Sequence, residues 1–290
     1  MPINPAQQLK KRLQEDDILV MAGCYDALSA QLAEKADFEA TFMSGFAVSA
    51  SRLGEPDTGL LSYGEILDQG RNICQAVSIP VFGDGDTGYG NAMNVKRTVR
   101  EYAQAGFACI MIEDQVAPKR CGHTKGKLVV DRQEAFSRIQ AAVDVREEGA
   151  DILIMARTDA RATHDLDEAI YRAQIFAEIG ADMTFLEAPQ TEAEMQRYCD
   201  EVSGIKMANL IAQGKTPVLP PAQLQKMGYS IAVYPLTTLS AAIQAMQNAL
   251  LDLKQGRTPQ GICFDELKTC VGFDNYYAEE ARYAVKLVEK

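Results

Sequence analysis

Two aspartates, Asp84 and Asp86, stand among four glycines in the stretch Val81-Phe82-Gly83-Asp84-Gly85-Asp86-Thr87-Gly88-Tyr89-Gly90. The apolar run entering from Ile79-Pro80 reads as a buried strand that stops at these acids. Side chains on a strand alternate, so both carboxylates should leave the strand end on one side and could share a ligand. Two hard oxygen donors suit Mg²⁺, which takes one or two carboxylates and keeps its other positions for water and substrate. The same residues would equally make a glycine-rich turn with two solvated acids, and spacing alone does not choose. Gly83, Gly85 and Gly88 also satisfy G-x-G-x-x-G, with Glu101 placed like a ribose-binding acid. That reading is set aside, because Asp84 and Asp86 would put two negative charges beside a pyrophosphate.

A second chemical feature is Lys119-Arg120-Cys121-Gly122-His123, followed by Lys125, Gly126 and Lys127. Cations beside a cysteine stabilise its thiolate, as a catalytic thiol requires. Glycines in a charged loop suit a lid that carries an acid/base group over a site. A surface loop with an incidental cysteine would have the same composition.

These groups need a scaffold, and the chain alternates strand and helix throughout. After a polar N-terminal helix come strand Ile18 to Ala22 with helix Asp26 to Ala36, then strand Ala40 to Met43, a long loop and helix Tyr63 to Val77. Ser62 and Glu65 are spaced as a capping box. The Asp84/Asp86 strand precedes helix Asn94 to Ala105, and Cys109 to Ile112 precedes a loop and a helix from Asp131 to about Glu148. Ile152 to Ala156 pairs with helix Leu166 to Ile179, and Met183 to Leu186 with a helix from Glu192, where Thr191 and Glu194 repeat the capping spacing. Lys206 to Ala208 pairs with Pro221 to Met227, and Ser230 to Tyr234 with Leu236 to Gln255. Eight such units with near-continuous apolar strands predict a single (β/α)₈ TIM barrel over residues 1–290, with an extra N-terminal helix. Residues 261–290 lie beyond the eighth helix as a C-terminal helical extension. They carry Phe264, Leu267, Val271, Phe273, Tyr276, Tyr277 and Tyr283, too many large apolar groups for a solvated tail, which points to packing in a homo-oligomer.

In such barrels the site lies at the C-terminal strand ends. Those positions are Ser44 and Gly45, Asp84 and Asp86, Glu113 and Asp114, Arg157, Thr158 and Asp159, Glu187, Asn209 and Tyr234-Pro235. Arg157 is the one strand-end cation, and its planar fork suits a substrate carboxylate. Glu113 is a third acid for a metal shell, direct or through water.

Composition narrows the partners. A net charge of -11 without any Lys/Arg block argues against nucleic acid and anionic membranes. No run approaches the roughly 18 apolar residues of a membrane span, and the N-terminus lacks the apolar core of a signal peptide, so a cytoplasmic protein is expected. Seven scattered cysteines without a C-x-x-C pair suggest neither a disulfide framework nor a zinc knuckle. His123 and His164 are the only histidines, which excludes a three-histidine zinc site.

Glu113-Asp114-Gln115 leading to Lys119-Arg120-Cys121-Gly122-His123, with Asp84 to Gly90 upstream, resembles the isocitrate lyase/phosphoenolpyruvate mutase superfamily. Met155-Ala156-Arg157-Thr158-Asp159-Ala160, Glu187-Ala188 and the stretch from Asn209 to Pro217 extend the resemblance over nearly the whole chain. The Lys-Arg-Cys-Gly-His loop points to the short lyase branch, which includes 2-methylisocitrate and 2,3-dimethylmalate lyases, and away from phosphonate chemistry. The resemblance implies a Mg²⁺-dependent carbon–carbon cleavage, with Mn²⁺ as a possible substitute. It implies that Asp84 and Asp86 hold the metal with Glu113, and that Asp57 belongs to its outer shell. Ser44, Gly45 and Arg157 would fix the substrate carboxylate, Glu187 and Asn209 would line the wall, and Gly122 and His123 would meet the substrate from the lid. Catalytic roles fall on Cys121, Lys119, His123, Arg157 and Glu113, with Cys121 protonating the enediolate left after pyruvate departs. The expected assembly is a tetramer, a dimer of dimers, with the C-terminal helices swapped between subunits. Oxaloacetate hydrolases of the family carry a serine where this chain has Pro235, and methylisocitrate lyases an arginine near Leu239-Ser240. The resemblance therefore favours a 2-hydroxy dicarboxylate such as 2,3-dimethylmalate, yielding propionate and pyruvate, with 2-methylisocitrate lyase or oxaloacetate hydrolase or decarboxylase as alternatives.

Overall fold

The computed structural model describes residues 4–124 and 126–284; Lys125 and both chain ends fall outside the described residues. Eight strands run β1 (Leu19–Cys24), β2 (Thr41–Met43), β3 (Val81–Asp84), β4 (Cys109–Glu113), β5 (Leu153–Thr158), β6 (Met183–Leu186), β7 (Ile205–Asn209) and β8 (Ile231–Tyr234). Each pairs in parallel with the next, and β8 closes on β1, so the sheet is the expected TIM barrel.

Both faces of the strands are apolar because both are buried. Phe42, Phe82, Met111, Met155, Phe185, Met207 and Val233 belong to one buried cluster, together with Leu19 and Met21 of β1. Their neighbours along the strands, such as Val81, Ile110, Ile112 and Ile154, belong to another with the surrounding helices. Alternation makes the first set the barrel interior. Helix α1 (Pro5–Arg12) puts Leu9 into that inner cluster, with Asn4 Oδ1 accepting from Ala6 N at 2.9 Å as its cap.

The outer helices are α2 (Ala27–Lys35), α3 (Gly45–Leu53), α4 (Tyr63–Ala76), α5 (Ala92–Ala105), α6 (Arg132–Glu147), α7 (Ala160–Thr163), α8 (Leu166–Ile179), α9 (Glu192–Glu201), α10 (Pro221–Met227) and α11 (Thr237–Lys254). Ser62 and Glu65 form the expected capping box. At α9 only half of one forms: Thr191 caps the helix, but Glu194 turns to Gln190 N and Arg161. Helix α3 occupies what the sequence suggested was loop. Its serines and N-terminal glycine weaken the helical signal, yet Ser44 caps it and Gly54 ends it in the left-handed region, φ +69°.

The chain divides into compact units at 1–240 and 241–290. The second unit holds the rest of α11, α12 (Phe264–Cys270) and α13 (Phe273–Arg282). Its Ile243, Met246, Leu250, Phe264, Tyr276 and Tyr277 are exposed. Among the described residues no helix is long and apolar enough to cross a membrane.

Candidate active site

Continuing each inward row by one more alternation gives the residues at the barrel mouth. Phe42 is followed by Ser44, Phe82 by Asp84, Met111 by Glu113, Met155 by Arg157, Phe185 by Glu187, Met207 by Asn209 and Val233 by Pro235. An apolar floor thus gives way to a polar ring at one level. A cavity of about 50 Å³ sits there, enough for a few waters or one small acid. Ser44, Asp57, Asp84, Lys119, Cys121, Gly122, His123, Arg157, Glu187 and Asn209 line it, and of the sequence-derived site only Gly45, Asp86 and Glu113 stand outside its wall.

Asp86 reaches this region differently from expectation. β3 ends at Asp84, and Asp86 lies in a turn with φ +46°, so a left-handed kink, not strand alternation, sets its side chain. Asp84 Oδ2 accepts from Gly45 N at 3.1 Å, and a Cβ on Gly45 would come 2.6 Å from that oxygen. In this structure Gly45 gives its N–H to Asp84. The glycines of the G-x-G-x-x-G match serve packing: a Cβ on Gly83 would meet Phe107 and Tyr102 at 2.8 Å, and one on Gly85 Met111 O at 2.7 Å. Glu101 is occupied by Tyr63 and Arg97.

The loop after β4 is seated over the mouth, its base paired through Val116 N to Leu128 O at 2.8 Å. Gln115 exchanges two hydrogen bonds with the Arg120 backbone, both 2.9 Å. Lys119 Nζ stands 2.7 Å from Asp57 and 2.8 Å from Asp86. Cys121 N donates to Asp57 O at 3.2 Å. Lys127, fully enclosed, donates to Gly122 O at 2.5 Å and to Asp159 Oδ1 at 2.6 Å. His123 Nδ1 accepts from Lys215 N at 3.1 Å, which leaves the proton on Nε2. That nitrogen lies 3.1 Å from Glu187 Oε1, at an angle that makes no hydrogen bond.

One expectation about charge, a thiolate stabilised by its neighbours, needs correcting. Burial pushes the Cys121 thiol up, with Glu187 and Asp57 adding to it against the His123 backbone and Arg157. Of the adjacent cations, Lys119 serves Asp57 and Asp86 and not the thiol. A protonated thiol suits proton donation, not nucleophilic attack. Arg157, read as open to a substrate carboxylate, contacts Asp159 at 2.8 Å, Glu187 at 3.0 Å and Glu113 at 3.2 Å.

Sequence reasoning missed Asp159 and Lys127 as site members, since nothing in a strand-end Asp or a loop Lys marks them as buried partners. Asp159 is itself placed by Asp114, which accepts from Asp159 N at 2.8 Å and Thr158 Oγ1 at 2.7 Å and pairs with Arg172 at 3.0 Å.

Five buried carboxylates, Asp57, Asp84, Glu113, Asp159 and Glu187, and the half-buried Asp86 are gathered with three cations, Lys119, Lys127 and Arg157. Burial, with Asp84 and Asp57 nearby, pushes Asp86 up to about 6 despite Lys119. Burial likewise pushes Glu113 well above the carboxylate range, and its Oε1 has no hydrogen-bond partner. Burial works against Glu187 too, but Arg157 and His123 hold it well below that range. Among the described residues no three acids, histidines or cysteines converge as a ready-made metal cage. The hard-oxygen donors of Asp84, Asp86 and Glu113, in a ring where acids outnumber bases, nonetheless suit a divalent cation.

The phosphoenolpyruvate phosphomutase family model matches residues 9–254. The chain is 40% identical to a 2,3-dimethylmalate lyase of Eubacterium barkeri over 97% of its length and 99% of that protein. It is 39% identical to the chloroplastic carboxyvinyl-carboxyphosphonate phosphorylmutase of Arabidopsis thaliana (97% and 87%) and 38% identical to a 2-methylisocitrate lyase of Aeropyrum pernix (98% and 93%). Among solved structures, oxaloacetate acetylhydrolase with 3,3-difluorooxalacetate superposes with a TM-score of 0.94 at 30% identity, covering 99% of both chains. A 2,3-dimethylmalate lyase gives 0.92 at 33% (98% and 99%), and phosphonopyruvate hydrolase with oxalate and Mg²⁺ gives 0.86 at 29% (97% and 99%). With a family model spanning most of its length and lyases near 40% identity along all of it, the chain belongs to the phosphoenolpyruvate mutase/isocitrate lyase superfamily and is a carbon–carbon lyase of that superfamily.

Proposed function

We propose that this enzyme is a Mg²⁺-dependent lyase that cleaves a 2-hydroxy dicarboxylate with methyl substituents, 2,3-dimethylmalate, to propionate and pyruvate. The observation that carries the reading is the cavity wall: Cys121, Asp84 and Arg157 share it with Phe46, Ile211, Pro235 and Leu236. Acids, one guanidinium and a thiol supply the chemistry, and the apolar side would receive the substituents. A third substrate carboxylate finds no cation there, because Leu239, at the position considered for one, is apolar and buried. The similarity to an oxaloacetate acetylhydrolase favours a hydrolase as second reading, but Pro235 brings no hydroxyl to the wall.

Asp84, Asp86 and Glu113 would hold the Mg²⁺, with Asp57 outside them, and the ion would supply charge against the oxyanion developing at C2. Arg157 and Ser44 orient the adjacent carboxylate, His123 meets the far one from the loop, and Glu187 and Asn209 line the remaining wall. A carboxylate of the ring takes the C2 hydroxyl proton, the C2–C3 bond breaks, and its electron pair passes into the second carboxylate as an enediolate. Cys121, kept protonated by burial, delivers a proton to C3. Lys119 and His123 hold the loop down while this occurs. The exposed apolar side chains of the second unit support a homo-oligomer, a tetramer with those helices exchanged between subunits. Seven scattered cysteines without a C-x-x-C pair suit a reducing, cytoplasmic setting.

Pyruvate-coupled assays of dimethylmalate, methylisocitrate, citramalate and oxaloacetate side by side, with EDTA and after Mg²⁺ return, test the reading. Dimethylmalate should give the highest kcat/KM, abolished by EDTA. A panel yielding only oxalate and acetate from oxaloacetate would overturn it.

A further inference from the structure

Cys121 sits on a loop that Lys119 and His123 hold at two points, and a third loop residue reaches the segment beside the thiol. Lys127 lies six residues beyond that thiol, with its side chain 1% exposed. A lysine so enclosed gives up hydration at high cost and persists only where its three donors find strong acceptors. One donor goes to Gly122 O at 2.5 Å, the carbonyl of the residue next to Cys121. Another goes to Asp159 Oδ1 at 2.6 Å, and Asp159 also grips Arg157 Nε at 2.8 Å. Gly122 has no room to shift, since a Cβ there would come 2.3 Å from Glu187 Oε2 and 2.6 Å from Arg157 Nη2.

We infer that Lys127 is a positioning residue for the proton-donating thiol: it latches the loop at Gly122 to the end of β5 through Asp159, and so sets where Cys121 points. The same carboxylate serves the latch and the guanidinium assigned to the substrate, so loop seating and Arg157 orientation are set together. This rests on the proposed acid role of Cys121. A lysine that only filled space would make neither contact at these lengths, and a solvated loop lysine would not be enclosed.

The test uses the full-length enzyme and three variants, K127M, K127Q and K127R, with alkylation of Cys121 by iodoacetamide located by peptide mass, thermal melting, and kcat and KM. K127M should melt cooperatively, alkylate at Cys121 at least tenfold faster than wild type, and lose about a hundredfold in kcat with KM changed by less than fivefold. K127R, which keeps the charge, should recover a large part of both. K127Q is read in the same way if K127M does not fold. A folded K127M or K127Q with wild-type alkylation and kcat would overturn the latch. Failure of the acid role itself shows separately, as full turnover by C121A.

Discussion

Gly122→Ala isolates the seating of the loop from the chemistry it delivers. The backbone at Gly122 is outside the left-handed region, so alanine meets no conformational penalty, and the whole effect is steric. Its Cβ would come 2.3 Å from Glu187 Oε2 and 2.6 Å from Arg157 Nη2. Against an ordinary contact of roughly 3.5 Å the shortfall is about 1 Å. Neither neighbour can yield easily: Arg157 and Glu187 are 3.0 Å apart, both buried, and Arg157 is also held by Asp159. The loop must therefore lift. A misplacement of about 1 Å costs on the order of a hundredfold, and losing a general acid costs about 10² to 10⁴. We expect kcat to fall about 100- to 1,000-fold, or about 3–4 kcal/mol in barrier height. The barrel core does not touch this position, so melting should drop by no more than about 4 °C, roughly 1–2 kcal/mol. Stopped-time pyruvate release at saturating substrate and Mg²⁺, with a thermal melt on the same preparation, decides the matter. A variant within threefold of the wild-type kcat would refute the seated loop.

Other predictions address the named groups. Cys121→Ala should fold normally and lose about 10²- to 10⁴-fold in kcat. Because burial raises the thiol above its ordinary value of 9.0, activity should be retained through neutral pH and decline only as pH rises past 9. A pH–rate profile falling between 7 and 8 would contradict this. Asp84→Ala should abolish Mg²⁺-dependent turnover while leaving the circular dichroism unchanged, and activity equal to wild type would remove Asp84 from the metal site. Asp86, raised to about 6, is protonated below that pH, and a metal must displace the proton. Calorimetric Mg²⁺ affinity should thus be steady above about pH 7 and weaken as pH falls through 6. A flat affinity from pH 7 to 5 would exclude Asp86 as ligand.

How much of this was legible in the sequence follows from which rules are local. Period-two alternation is local, so Phe42–Ser44, Phe82–Asp84, Met155–Arg157 and Met207–Asn209 could be read from the apolar strands and the polar residues that end them. Asp86 has the spacing of the same rule, yet its placement depends on a left-handed residue that only the folded turn reveals. Helix α3 was hidden because its serines and glycine are poor helix formers, and packing overrides that preference. The partners of Lys119 and Lys127 lie 62 and 32 residues away, and no spacing rule encodes such distances. For the same reason the loop's basic composition suggested a stabilised thiolate, when the charges of Lys119 and Lys127 serve carboxylates elsewhere.

The origin of the cations bears on how the site works. Arg157 comes from the barrel, but Lys119 and Lys127 both come from the loop. With the loop lifted, the mouth would keep six carboxylates and one guanidinium, at partial burial and without the two ammonium groups that Asp57, Asp86 and Asp159 contact when it is seated. Such a mouth attracts divalent cations strongly and repels dianionic acids. Cation first and acid second is therefore the electrostatically favoured order of loading. Reseating the loop then returns two positive charges over a bound anion, where they oppose the charge that builds on oxygen as the carbon–carbon bond breaks. Initial-rate patterns should show ordered binding with Mg²⁺ leading, and random order would mean that the loop's lysines do not govern access.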